Sequence, residues 1–171
     1  ERVRPNGFKA QVVAPSREAA LKYVQRLNEF GVGCNVSAFP VITTTPDDGP
    51  QFKAAREVDH EQIVSAFKDH DGEPNILVVV DMLLTGFDAP VEQVLYLDKP
   101  LREHGLLQAI ARVNRRCTVH REGVATEKTY GLVVDYCGVS RELEAALSEF
   151  DHADVQHAMK ELEEDPSAVI E

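Results

Sequence analysis

The sequence predicts an α/β domain built on a mostly parallel sheet. Short β-branched runs alternate with stretches whose apolar residues recur at helical spacing. One run, "NILVVV" at 75–80, is continuously apolar, as in a central strand covered on both faces. Its 171 residues, 43% hydrophobic and 27% charged, match one soluble domain with a sizeable core.

The elements follow in order. "KAQVVA" (9–14) reads as a first strand. Pro15 and Ser16 then open a helix, with Ser16 as N-cap. Leu21, Val24 and Leu27 share one face of that helix, and Gly31 stops it. "CNVSAF" (34–39) is a second strand. From Pro40 to Val58 the text is polar, centred on "TTTPDDGPQF", and reads as a mobile loop. Asp59 followed by Gln62 resembles a capping box for a helix over 60–70, with Ile63, Val64 and Phe67 facing the core. Gly72 and Pro74 end it before the apolar run at 75–80. "QVLYLD" (93–98) is the next strand, closed by Pro100. A helix over 103–116 and a last strand, "KTYGLVVDY" (128–136), follow. Two helical patterns finish the chain, with Leu143, Leu147 and Phe150 in one and Val155, Met159 and Leu162 in the other; their outer faces are acidic.

Charge and cysteine content exclude some classes. A formal net charge of −11 argues against a generic basic coat for nucleic acid, but a local basic groove is compatible with it. Cys34, Cys117 and Cys137 are odd in number and widely spaced, which suits reduced thiols in a cytoplasmic protein. No apolar run is long enough to span a bilayer, and no signal peptide is visible. The missing initial methionine and the acidic tail suit a piece of a larger multidomain chain.

Against that acidity, "QAIARVNRR" (108–116) carries three arginines and no acid. At about 100° per residue, Gln108, Arg112 and Arg115 fall in one sector, with Leu106, Ile110 and Val113 opposite. Spacing leaves two readings: a solvated basic face, including pairs with acids elsewhere in the fold, or an anion site. Guanidinium is a planar fork that suits phosphate oxygens. "LLTGFDAP" (83–90) follows the apolar strand directly, where such folds place ligands. Gly86 permits close backbone approach and Asp88 supplies a carboxylate, although a plain turn is the simpler account of a lone Gly-x-Asp. "APSREAA" puts Ser16 and Arg17 at a helix start, which is either simply that or a phosphate contact.

Together, "VVVDMLLTGFDAP", "VLYLDKPLREHGLLQAIARVNR" and "YGLVVDYCGV" resemble the second RecA-like domain of a superfamily 2 helicase motor. More closely, they resemble the motor part of the R subunit of type I restriction-modification enzymes. The resemblance covers about Phe8 to Phe150 and implies a three-layer RecA-like fold, a mostly parallel sheet with helices on both faces. It divides the chain into a motor lobe over 1–150 and a helical extension with an acidic tail over 151–171.

The resemblance also implies roles. "VVAPSREAA" matches motif IV, whose Ser16 and Arg17 would hold the DNA backbone. "DMLLTGFD" matches motif V: Gly86 and Asp88 would approach the nucleotide, while Thr85 and the amides around Asp81 would face the DNA track. "QAIARVNR" matches motif VI. Gln108 would be a positioning residue, and Arg112 and Arg115 would reach the γ-phosphate of ATP, with Arg115 the arginine finger. Ala111 stands where many helicases have glycine, and Val80 where many have threonine. Both departures weaken a generic helicase reading more than the restriction-subunit reading.

The implied cofactors are ATP and Mg2+, bound mainly by a first RecA-like lobe. The implied partners are that lobe, double-stranded DNA, and the modification and specificity subunits; no membrane is implied. No phosphate loop and no Asp-Glu-x-His-type magnesium motif occurs in the 171 residues, so ATP hydrolysis by this chain alone is not expected. His104, His120, His152 and His157 form no ligand set, and no metal site is expected. Two other functions fit the same fold: the equivalent lobe of another superfamily 2 helicase or remodeller, and a non-catalytic nucleotide-binding interaction module. The latter would pair both arginines with acids of the same fold.

Overall fold

The computed structural model describes residues 7–32, 36–83, 87–101, 103–121 and 123–138. The predicted helices beyond 139, together with Cys34, Thr85 and Gly86, lie outside the described residues.

A five-stranded, all-parallel sheet forms the centre, in the order β2-β3-β1-β4-β7. Its strands are β1 (Lys9–Val13), β2 (Ala38–Val41), β3 (Ile76–Val79), β4 (Glu92–Leu97) and β7 (Leu132–Asp135). Among the described residues, four helices flank it: α1 (Arg17–Gly31), α2 (Lys53–Arg56), α3 (His60–Lys68) and α4 (Glu103–Val113). On one face, Phe67 of α3 and Leu106, Ala109 and Val113 of α4 pack on Val13, Leu77, Leu95 and Leu97. On the other, Ala20 of α1, Phe52 and Ala55 pack on Ala14, Ile42 and Val78. Three layers result, with helices on both faces, as the resemblance implies.

The caps and the central strand form as read. Ser16 Oγ accepts the Ala19 N–H at 3.1 Å, and Asp59 accepts from the amides of Glu61 and Gln62. Leu77, Val78 and Val79 are fully buried. Burying each is worth about 1.5–3 kcal/mol, more than the roughly 1 kcal/mol of a cap, so the sheet core anchors the fold.

Three expectations are corrected. First, β2 begins at Ala38 and runs through Pro40 to Val41. Proline is tolerated there because β2 is an edge strand whose outer side needs no donor. Second, the segment over 40–58 is not an irregular loop. It holds a 3-10 turn (Pro50–Phe52) and α2, with Phe52 and Ala55 buried. Third, the last strand is shorter than 128–136, and a separate antiparallel hairpin precedes it: β5 (Cys117–Arg121) and β6 (Val124–Lys128), with Gly123 at φ +80° in the turn. The "CTVHREGVATEK" text does carry that signal, two β-rich runs around a glycine.

Candidate nucleotide and nucleic-acid contact site

The predicted site residues fall into two groups on different parts of the sheet. The first gathers where the β3–β4 connection meets the end of α4. That helix forms because Leu106, Ala109 and Val113 recur at three- and four-residue spacing and bury against the sheet. It stops at Val113, short of the predicted 116, where it packs against Gly131. Gly131 lies so close that a Cβ on it would stand 2.3 Å from the Val113 carbonyl oxygen. The Asn114 side chain accepts the Gly131 N–H at 3.1 Å and seals the contact. Arg112 therefore leaves from the last helical turn, and Arg115 from beyond it.

Arg112 is half-buried. It donates to the Leu83 carbonyl, and its guanidinium lies 5.9 Å from the centre of the Phe87 ring. Leu83 has φ 61°, a left-handed conformation that costs a non-glycine residue about 1–2 kcal/mol. Its side chain packs on the core while Arg112 binds its carbonyl, and these two contacts hold the strained backbone. Burial pushes the Arg112 pKa down, opposed by the charges of Glu92 and Asp88.

Arg115 forms an ion pair with Asp88. Spacing left pairs with acids elsewhere in the fold open, and Arg115 makes one: the acid comes from the β3–β4 connection rather than from its own helix. The pair is open, with side-chain exposures of 34% for Arg115 and 53% for Asp88. Exposed pairs contribute about 0–1 kcal/mol, so an incoming phosphate can displace the carboxylate. One correction concerns place. Asp88 stands just ahead of β4, because the connection has already crossed back to the amino end of the parallel strands. It is not at the carboxyl-end crevice where the position of its loop in the sequence suggests.

Sequence reasoning missed the support beneath this corner. Glu92 is buried, and its Oε2 lacks a hydrogen-bond partner among the described residues. Burial pushes its pKa up to about 7, against the nearby charges of Arg112 and Lys128. Lys128, also buried, donates to the carbonyls of Pro90 and Glu92 at 2.6 and 2.9 Å and ties the hairpin to β4. A charged residue in an unrecognised hairpin offers no periodic signal of burial. Gln108 is half-buried on α4.

The second group lies at the carboxyl ends of the strands. Ser16 is occupied as the α1 cap. Arg17 makes a bidentate pair with Asp48, Nη1 and Nη2 donating to its two oxygens at 2.8 and 2.9 Å. Asp81, just after β3, accepts from Lys99 at 2.5 Å. Asp98, at the end of β4, accepts from the Tyr23 hydroxyl, which raises the tyrosine pKa to about 12.

The donor set suits one side of a nucleoside triphosphate. Arg115 offers a half-exposed guanidinium beside the exposed Asp88, with Arg112 fixed behind it. Among the described residues, no group of three or more His, Cys, Asp or Glu side chains could hold a metal ion. No helix among them is long and apolar enough to cross a membrane.

Residues 49–138 match the family described as type I restriction enzyme subunit R domain 3. The chain is 34% identical over 169 residues to a protein assigned as the type I restriction enzyme MjaIXP endonuclease subunit of Methanocaldococcus jannaschii; the match covers 95% of this chain and 15% of that protein. It is 36% identical over 115 residues to the type I restriction enzyme HindI endonuclease subunit of Haemophilus influenzae, covering 66% of this chain and 10% of that one. The chain thus spans a small part of the length of these relatives. Among solved structures, it resembles a fragment assigned as an HsdR subunit of a type I restriction enzyme from Vibrio vulnificus, with a TM-score of 0.56 at 19% identity over 82% of this chain and 25% of that one. It also resembles the C-terminal domain of Saccharomyces cerevisiae Dbp5, with a TM-score of 0.53 at 11% identity over 92% of this chain and 84% of that one. The two likenesses show a RecA-like helicase C-terminal fold. On the family match over residues 49–138, this chain belongs to the type I restriction enzyme subunit R domain 3 family.

Proposed function

We propose that the chain is the second motor lobe of a type I restriction enzyme R subunit and serves ATP-dependent translocation of double-stranded DNA ahead of cleavage. The observation that carries this reading is the solvent-accessible Arg115–Asp88 pair beside the anchored Arg112. Arg115 is the arginine finger: it exchanges the Asp88 carboxylate for a γ-phosphate presented by a first RecA-like lobe. Asp88, once released, is free to accept from a nucleotide hydroxyl. Arg112 shapes the loop through Leu83 and adds positive charge behind the finger, and Gln108 and Gly86 complete the nucleotide-facing side. ATP with Mg2+ supplies the phosphoryl group whose hydrolysis drives the motor, and both are held mainly by the first lobe. Ser16, Arg17, Asp81 and Thr85 face the DNA backbone. The modification and specificity subunits read the DNA target in the assembled, cytoplasmic enzyme.

The test uses the full-length subunit. Arg115→Ala should lower DNA-stimulated ATP hydrolysis by about 10³-fold or more, the scale of arginine fingers, without changing its melting temperature appreciably. Arg112→Ala should lower both, because it also frees the Leu83 carbonyl. Near-normal hydrolysis by folded Arg115→Ala enzyme would instead favour a non-catalytic nucleotide-binding module, the reading that the internal Arg115–Asp88 pair also fits.

A further inference from the structure

The turn after β2 is built around one acid. Asp48 accepts the Thr45 amide at 2.6 Å in addition to the two bonds from Arg17. Arg56 of α2 donates to the carbonyls of Thr45, Pro46 and Asp48 at 3.1–3.4 Å, tying the turn from its other side. Phe52, buried against the α1 face of the sheet, places its ring 4.8 Å from the Arg17 guanidinium. Arg17 Nη1 also donates to the Thr43 carbonyl at 3.1 Å.

This arrangement uses one edge of the guanidinium and leaves the other. Both Nη atoms face Asp48, and Nη1 is shared with Thr43. Nε makes no hydrogen bond among the described residues, and neither does the second proton of Nη2. Exposure is equally one-sided: the Arg17 side chain is 35% exposed and that of Asp48 only 10%. The acid sits behind the cation. An arginine clamped end-on by a carboxylate and laid on an aromatic ring has lost its rotamer freedom before any ligand arrives.

We propose that Asp48 is a positioning residue for DNA: it fixes Arg17 so that the free Nε–Nη2 edge meets a backbone phosphate of the duplex. This rests on the reading of Ser16 and Arg17 as part of the DNA track. The segment after β2 is then the wall that orients the contact rather than a loop of no defined role. Asp48 does not leave when the phosphate binds, because it also holds Thr45 and sits under the turn that Arg56 closes.

A double-mutant cycle in the full-length subunit tests this, reading affinity for a non-specific duplex over a range of salt concentrations. Asn at position 48 can still accept the Thr45 amide but lacks the charge and the second strong acceptor. Asp48→Asn should weaken binding by about two- to tenfold, the scale of losing one preorganised side chain. Arg17→Ala should weaken it at least as much and lower the salt slope by about one. Combining the two should weaken binding no further than Arg17→Ala alone. Three results would overturn the inference. Tighter binding by Asp48→Asn would make Asp48 a competitor of phosphate. A loss that persists undiminished in the Arg17→Ala background would reduce Asp48 to a fold-stabilising residue. Arg17→Ala with full affinity would remove this edge from the DNA track altogether, the one result that also fails the reading beneath. Melting curves of each variant, and an Asp48→Ser variant that keeps a small acceptor near Thr45, separate misfolding from lost positioning.

Discussion

The residues that decide this molecule's electrostatics are buried ones. Lys9, on β1, is 1% exposed; its ammonium donates to the carbonyls of Ala66 and Gly72 at 3.1 and 2.7 Å and lies over the Phe67 ring. Burial pulls its pKa from 10.5 to about 8, against the charges of Asp69, Glu73 and Asp71. Burial does the same to Lys128, also to about 8. Between pH 8 and 10.5 the unfolded chain therefore holds more protons at these two positions than the folded chain, and stability should rise with pH. Glu92 acts in the opposite sense. Its pKa is raised from 4.5 to about 7, so the folded state holds the extra proton in that window and stability should fall as pH climbs through it. Melting temperature against pH should accordingly show a shallow trough near pH 7–8 from these groups. Glu92→Gln should flatten the acid limb and Lys128→Met the alkaline limb; unchanged limbs in both variants would show that these charges are solvated.

At the scale of elements, the strain and the contacts sit at ends rather than in the middle. Gly131 fits under the last carbonyl of α4 only because it has no side chain. Gly131→Ala forces backbone atoms apart, since the opposing atom is a carbonyl rather than the tip of a flexible side chain. It should destabilise the chain by about 1–3 kcal/mol, as overpacked sites do, and lower the melting temperature. It should also shift the end of α4 and with it Arg112 and Arg115, so ATP hydrolysis by the full-length subunit should fall as well. A variant that melts normally and hydrolyses normally would mean that α4 can end elsewhere at little cost. The β5–β6 hairpin belongs to the same support. It reaches β4 through Lys128, and the residues just after α3 through His120, whose carbonyl accepts from His70 Nε2 at 3.1 Å.

For the molecule as a whole, the two groups of candidate residues lie at opposite ends of one parallel sheet. Ser16, Arg17 and Asp81 are at the carboxyl ends, while Arg115 and Asp88 are near the amino end of β4. Under the proposed function, the duplex and the nucleotide would therefore meet separate surfaces of one lobe. The net charge of −11 is compatible with this because the cations in question are few and held at defined points. The 171 residues contain no phosphate loop, so the isolated chain should show no DNA-stimulated ATP hydrolysis above background in a coupled assay. Measurable turnover would mean that the triphosphate cradle is in this chain after all.

What the sequence determined by itself was local or periodic. Ser16 and Asp59 cap helices by bonds to amides two or three residues away, and the apolar run over 75–80 declares a central strand through burial on both faces. Leu106 and Val113 mark the inner face of α4 through helical spacing alone. Only the tertiary structure decided how the charges are used. The Arg17–Asp48 and Arg115–Asp88 pairs join residues far apart in the chain, and Lys128 finds its carbonyls through a hairpin whose packing no local rule predicts. Pairing between distant charges depends on where the sheet order brings strand ends and connections together, and a linear pattern of residue types does not encode that geometry.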